Sequence, residues 1–424
     1  MIQNLYSLFL QHPNISIDTR KINKNCLFFA LKGPNFNGND FAMQAVKKGA
    51  AYAIVDEERY VLNNQYILVK DCLKTLQELA NYHRKNLSIP ILGITGSNGK
   101  TTSKELCLQV LKKKFKTTAT SGNLNNHIGV PLSILSIDKD TEFGIIEMGA
   151  NHIGEIDLLC KIAEPTCGVI TNIGKAHLEG FGSIEGVLEG KTELYKFLEK
   201  SNGLILVKDD QQLLIEKIGQ NCRKIKYGKN KNNNHIISLV HSNPFLTLEV
   251  NGIKIRSQLI GNYNFDNIAL SIALGIEYGI SIKKIKNAIE NYVPKSNRSQ
   301  LINTNKNEIL LDAYNANPTS MGKAIDTIAS IEHVNKLIIL GDMFELGEDT
   351  NKEHISIINS CQESGIQNVI LVGKTFNKLN KSKFKSYDNT ETLLKYLKQN
   401  KIKDTLILIK GSRAMKLEQL VEYL

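Results

Sequence analysis

A chain of 424 residues, 42% hydrophobic and 22% charged, is long for one core and has the balance of a folded globular protein with two or three domains. No apolar run approaches the roughly 20 residues of a bilayer crossing, and Met1–Leu5 lacks a basic-then-apolar signal pattern, so no membrane insertion is expected. The net charge of +11 is spread out, without the basic–aromatic clusters that nucleic acid as a substrate would ask for. The seven cysteines, odd in number and without a CxxC pair, read as reduced thiols of a cytoplasmic protein.

Residues 1–82 read as a small α/β unit. Strands are expected over 26–31, 51–55 and 66–69, with a helix over 41–48. Just before the first strand, Asp18, Thr19 and Arg20 offer a carboxylate, a hydroxyl and a guanidinium together, though a surface salt bridge would look the same.

Residues 83–294 carry the strongest local pattern. Ile91–Thr95 is short, apolar and β-branched, the mark of a buried strand. Gly96-Ser97-Asn98-Gly99 follows as a turn, then Lys100-Thr101-Thr102, then Leu106, Val110 and Leu111 at helical spacing. Strand, glycine turn, Lys-Thr and helix form a phosphate-binding loop. Backbone N–H groups and the helix N-terminus would face phosphates, Lys100 would reach the terminal ones, and Thr101 would offer a hydroxyl to Mg²⁺. The glycine usual five residues before Gly99 is Ile94, so the motif is the shorter GxxGK[ST]; an ordinary βα turn with a surface lysine is the plain alternative.

Residues 122–131 then form a loop dense in amides, including Asn123, Asn125 and Asn126. Strands are expected over 143–148, with Glu147 near its end, and over 167–172, followed by His177. Groups beyond the carboxyl ends of parallel strands converge on ligands, so both residues are site candidates. A helix is expected to open at Glu189 and to carry Lys191; residues 230–234 are a low-complexity loop. Residues 261–267, with Asn264 and Asn267, are expected to precede an apolar helix ending at Gly279. Pro294–Arg298 reads as a linker. Residues 295–424 then alternate helices with strands over 309–312, 337–340, 369–372 and 406–409, a second open α/β sheet.

Together these strings resemble the Mur ligases, ATP-dependent amide-forming enzymes of peptidoglycan synthesis, along essentially the whole chain. The strings are Ile94–Thr102, the strand with Glu147, and Asn172–His177. They continue with Asp312–Pro318, Leu340–Gly347 and Lys410–Met415. The resemblance implies three α/β domains: an N-terminal UDP-binding domain, a central P-loop parallel-sheet ATPase-like domain, and a C-terminal Rossmann-like domain that swings in over ATP. It implies an enzyme that joins D-alanyl-D-alanine to UDP-N-acetylmuramoyl-tripeptide through an acyl phosphate, working as a monomer. A ligase adding the third peptide residue, a folylpolyglutamate synthase, or a non-catalytic nucleotide-binding regulator are the competing readings.

By the same resemblance, two Mg²⁺ ions are expected. Thr101 and Glu147 are candidate ligands for one, and His177 and Lys191, the latter as N6-carboxylysine, for the other. Without the resemblance His177 would pass for a structural histidine and Lys191 for an exposed helix lysine. Lys100, Glu147, His177 and Lys191 form the expected catalytic set. Gly96–Thr102, Asn264, Asn267, Arg298 and Asp312 are expected to hold ATP, with Asp312 on the ribose diol; an interdomain salt bridge is the other role open to Arg298. Asp18, Thr19 and Arg20, with Asn123, Asn125 and Asn126, are expected to hold the UDP-sugar. Asn315, Asn317, Lys410, Ser412 and Arg413 are expected to place the dipeptide and the reacting carboxylate. His127, Tyr263 and Asn39 depart from the family's frequent residues.

Overall fold

The computed structural model describes residues 1–295 and 297–424; Ser296, in the expected linker, lies outside the described residues. Three larger sheets lie along the chain, besides a two-stranded pair, Lys32–Gly33 with Phe36–Asn37. The first is parallel, in the order Ile15–Ser16, Leu27–Phe29, Tyr52–Val55 and Tyr66–Leu68. Leu27–Phe29 is buried at every position, as a continuous apolar run should be when both faces of a parallel strand are covered. Helix Cys72–Lys85 starts where the Asp71 carboxylate accepts from Lys74 N at 2.8 Å. It runs on past residue 82, so the expected boundary there cuts an element. Its Leu76 and Leu79 share one core with Val130, Ile134 and Ile156 of the following segment.

The central sheet has nine strands. From Thr117–Ala119 through Phe143–Glu147, Ile91–Thr95, Cys167–Ile170, Leu204–Lys208 and Arg223–Gly228 to His235–His241 it is parallel. Phe245–Val250 and Ile253–Ile260 extend the expected parallel sheet by two antiparallel strands that the sequence reading did not expect. The cause is local. Asn251 (φ 49) and Gly252 (φ 74) make a two-residue turn with both residues left-handed, the geometry that reverses a twisted strand tightly. Leu246, Leu248 and Val250 alternate inward ahead of it.

Two further expectations shift. The helix expected to open at Glu189 begins at Ile184, where the Ser183 side chain caps it, and Lys191 sits inside it. The helix expected after residue 267 already begins at Asn264 and ends at Glu277, before Gly279. The third sheet runs Gln300–Asn303, Asn307–Asp312, Thr405–Lys410, Lys336–Gly341, Val369–Val372 and Lys385–Tyr387, parallel except at its first edge. The carboxyl ends of strands from the second and third sheets meet around one cleft.

Candidate active site

The cleft, of about 610 Å³, is lined from one side by the phosphate loop, Glu147 and His177, and from the other by Asp312, Asn315, Asn317 and Lys410. Gly99 holds the loop's last corner at φ +80, and a Cβ there would lie 2.5 Å from Asn267 Oδ1. Only glycine fits both the dihedral and the approach. Behind the loop, Ser97 N donates to Asn172 O at 3.0 Å and Asn98 N to Asn172 Oδ1 at 3.0 Å. Those two amides are therefore engaged with the protein, which narrows the expected cradle. The N–H groups of Gly99, Lys100, Thr101 and Thr102 have no protein acceptor among the described residues, as expected of a first helical turn. Unshared N–H groups at a helix start are the kind of end that suits an anion.

Lys100 Nζ donates to Gly96 O at 2.5 Å. Burial pushes its ammonium down, with Glu147 opposing and Arg298 adding to the shift. Thr101 Oγ1 donates to Glu147 Oε2 at 2.9 Å, while Asn125 Nδ2 donates to Oε1 at 2.9 Å. Glu147 is buried and belongs to no ion pair among the described residues. Among the described residues no three histidine, cysteine or acidic side chains cluster as a ready metal cage. A hydroxyl beside a buried carboxylate nevertheless fits Mg²⁺, a hard cation usually bound by one or two carboxylates, waters and substrate phosphates.

Lys191 is buried rather than exposed. Its Nζ donates to Ala150 O at 3.0 Å and sits 5.0 Å from the Phe181 ring centroid. Burial, then the charge of Lys100, push its pKa down to about 7 against the pull of Glu155 and Glu193. His177 stands at φ 54, and its Nδ1 lies 2.6 Å from Oε2 of Glu345, itself at φ 63. The contact is close but out of line for a hydrogen bond.

Other expected residues divide. Asn264 and Asn267 line the cleft, but their amides are spent internally: Asn267 Nδ2 donates to Asn264 Oδ1 at 2.8 Å, and Ser103 Oγ donates to Asn267 Oδ1 at 2.9 Å. Asn126 Oδ1 accepts from Ile128 N and Gly129 N, capping the next helix, while Asn123 and His127 lie on the wall. Asp312 accepts from Lys410 Nζ at 2.5 Å and from Ser299 N at 3.1 Å. Tyr263 bonds Ser299 at 2.8 Å. Arg298 stacks 3.6 Å from the Tyr314 ring centroid and makes no ion pair among the described residues. Asn315 Oδ1 accepts from Ala316 N, and Asn317 Nδ2 donates across the domain boundary to Asn98 Oδ1 at 2.8 Å.

Three groups stand off the cleft wall. Ser412 Oγ accepts from Phe344 N, and Arg413 pairs with Glu418 at 2.9 Å. Arg20 pairs with Asp18 at 2.8 Å, a hydrogen bond that holds the Asp18 carboxyl down to about 2, and Thr19 is buried beside them. Sequence reading missed Tyr314 and Glu345. Both lie just past strand ends inside quoted strings, which was the available signal.

Three family descriptions cover the chain: "Mur ligase family, catalytic domain" over residues 13–86, "Mur ligase middle domain" over 94–275, and "Mur ligase, glutamate ligase domain" over 297–413. A Bacillus subtilis UDP-N-acetylmuramoyl-tripeptide--D-alanyl-D-alanine ligase is 35% identical, covering 96% of this chain and 92% of its own. The chain belongs to the Mur ligase family. In structure, this Mur ligase is similar to MurF from Acinetobacter baumannii (TM-score 0.86, 28% identity, 96% of this chain and 92% of that one). It is equally similar to MurF from Thermotoga maritima in complex with ADP (TM-score 0.86, 27% identity, 97% and 96%). Among the described residues, no helix is long and apolar enough to cross a membrane.

Proposed function

We propose that this Mur ligase joins D-alanyl-D-alanine to UDP-N-acetylmuramoyl-tripeptide at the expense of ATP, in peptidoglycan precursor synthesis. The observation that carries the reading is the convergence on one cleft of unshared loop N–H groups, Lys100 and the buried Thr101–Glu147 pair, facing side chains of the third sheet. Whole-length similarity to ligases of that name supports the substrate assignment.

A carboxylate resists an attacking amine because of its own charge. One of its oxygens therefore takes the γ-phosphoryl group of ATP, ADP leaves, and the acyl phosphate becomes electrophilic. The dipeptide amine attacks the acyl carbon and loses a proton, and inorganic phosphate departs with the C–O electrons. The Gly99–Thr102 amides and Lys100 hold the phosphates and offset the charge that spreads over the γ-oxygens. Two Mg²⁺ ions, when bound, would neutralise the phosphate oxygens further; Thr101 and Glu147 would hold one, and His177 with a carbamate on Lys191 the other.

The neutral Lys191 amine can add to the carbon of CO₂ and lose a proton, turning a cation into an anion. Its burial and low pKa favour that reaction. Asp312, with Arg298 and Tyr314, receives the ribose end, while Asn264 and Asn267 brace the loop. Asn123 and Asn125 face the sugar diphosphate, and Asp18–Arg20 on the segment up to Lys85 receives the uridine end. Lys410, Asn315 and Asn317 shape the dipeptide side, and the enzyme works as a cytoplasmic monomer.

The test is phosphate release and product mass with purified UDP-muramyl-tripeptide, ATP, Mg²⁺ and D-Ala-D-Ala, set against single amino acids and folate. Product only with the dipeptide is expected, and Lys100→Ala should lose about 10²–10³ in rate, the scale of removing one preorganised charge-stabilising donor. Ligation by Lys100→Ala at the parent's rate would refute the role of the loop.

A further inference from the structure

The string Leu340–Gly347 ends in a turn after strand Lys336–Gly341, and no role above uses it. Its Glu345 is a left-handed non-glycine residue, φ 63, and so is the residue it touches, His177, φ 54. Such backbone is unfavourable for a residue with a side chain and persists where surrounding structure holds it. Here the two strained residues face each other from different sheets. Glu345 Oε2 lies 2.6 Å from His177 Nδ1, and both side chains line the cleft. A second backbone contact, Glu179 N to Glu345 O at 3.5 Å, seats the turn beside the short helix that His177 begins.

A carboxylate oxygen and a bare ring nitrogen would repel at 2.6 Å, so the contact favours the ring forms with a proton on Nδ1. In the neutral ring of that form, Nε2 carries the lone pair. The neighbouring pair Lys175–Glu353, 2.5 Å, and the bond from Asn317 to Asn98, 2.8 Å, pin the same boundary. Glu345 thus reaches His177 only when the third sheet is docked on the second.

We propose that Glu345 is a positioning residue: delivered by the C-terminal domain, its carboxylate orients His177 and selects the ring form with Nε2 free toward the cleft. The proposal rests on the ligase reading for its effect on rate, but not for the ring geometry. A carboxylate behind a histidine that serves a metal fixes the ring's tautomer and raises its basicity, and losing it typically costs about 10–100-fold in affinity or activity.

The test uses the full chain with Glu345→Ala and Glu345→Gln. Side-chain ¹⁵N spectra of the histidines, with His177 assigned by its loss in His177→Asn, report which nitrogen bears the proton. Kinetics report kcat and KM. In the parent, His177 is expected as the Nδ1–H form. Glu345→Ala should shift it toward a tautomer mixture and lower kcat about 10–100-fold, with KM for ATP within about threefold. Glu345→Gln, which keeps an oxygen acceptor at the same reach, should recover the ring form and part of kcat. An unchanged His177 spectrum in Glu345→Ala overturns the proposal, and so does a kcat within twofold of the parent. If the parent ligates nothing, the functional reading fails while the spectra still decide the contact.

Discussion

Replacing Gly99 with alanine isolates what the phosphate loop asks of its backbone. The residue would have to hold φ +80 with its Cβ 2.5 Å from Asn267 Oδ1, 3.3 Å from Cγ and 3.4 Å from Nδ2. Asn267 cannot easily yield, because Ser103 donates to its oxygen at 2.9 Å and its own nitrogen donates to Asn264 at 2.8 Å. The left-handed backbone costs about 1–2 kcal/mol. Pushing the amide aside strands buried polar groups for about 1–3 kcal/mol more. If the loop relaxes out of its binding form instead, the same roughly 2–5 kcal/mol weakens nucleotide binding, and at about 1.4 kcal/mol per decade that is at least about 25-fold. Titration calorimetry with ATP and with ADP measures it directly. Gly365→Ala is the control for dihedral strain alone, since Gly365 has φ +72 but open space around its would-be Cβ. Gly99→Ala binding ATP within about threefold of the parent would show that the loop is not the grip, or that Asn267 gives way freely.

Three further outcomes follow from buried charge. Lys191 sits at about 7 in the folded chain, against about 10.4 for a free lysine. Between those values the unfolded chain holds a proton that the folded one has lost, so stability rises with pH across the window and falls as pH drops toward 7. Melting curves from pH 7 to 10 in bicarbonate-free buffer should show a shallower rise for Lys191→Met; equal slopes would contradict the burial argument. At limiting bicarbonate, parent activity should climb as pH passes about 7, whereas Lys191→Ala should stay low at any bicarbonate level. Lys175 and Glu353 pair at 2.5 Å, with the carboxylate 4% exposed and the lysine 39%. Removing Lys175 alone leaves a buried charge, about 3–5 kcal/mol for an enclosed pair and less here because solvent screens the lysine side. Lys175→Met should raise KM for ATP about tenfold, and Lys175→Met/Glu353→Leu should return most of it; equal losses in both would remove the pair from the closure of the cleft.

Elements whose signal is local were legible in the residues. Ile91–Thr95 and helix Lys100–Leu111 stand where apolar runs and spacing placed them, because a β-branched strand and a glycine turn need no distant information. The antiparallel extension went unread although Asn251-Gly252 lies between alternating apolar residues, a local hairpin signal. Within the site, residue types on the loop were readable, but their engagement was not. That Ser103 holds Asn267, and that Lys410 lies on Asp312, depends on which distant elements the fold brings together. The contact of Glu345 with His177 was unreadable for the same reason: His177 is 168 positions away in sequence, by subtraction of their numbers, yet 2.6 Å away in space.

Helix Cys72–Lys85 turns its Leu76 and Leu79 toward Val130, Ile134 and Ile156 rather than inward on the first sheet alone. A fragment ending at Lys85 would therefore expose a greasy flank to water and clump instead of behaving as a small protein in its own right. Any engineered transplant of this front end onto another ligase has to carry the receiving surface with it.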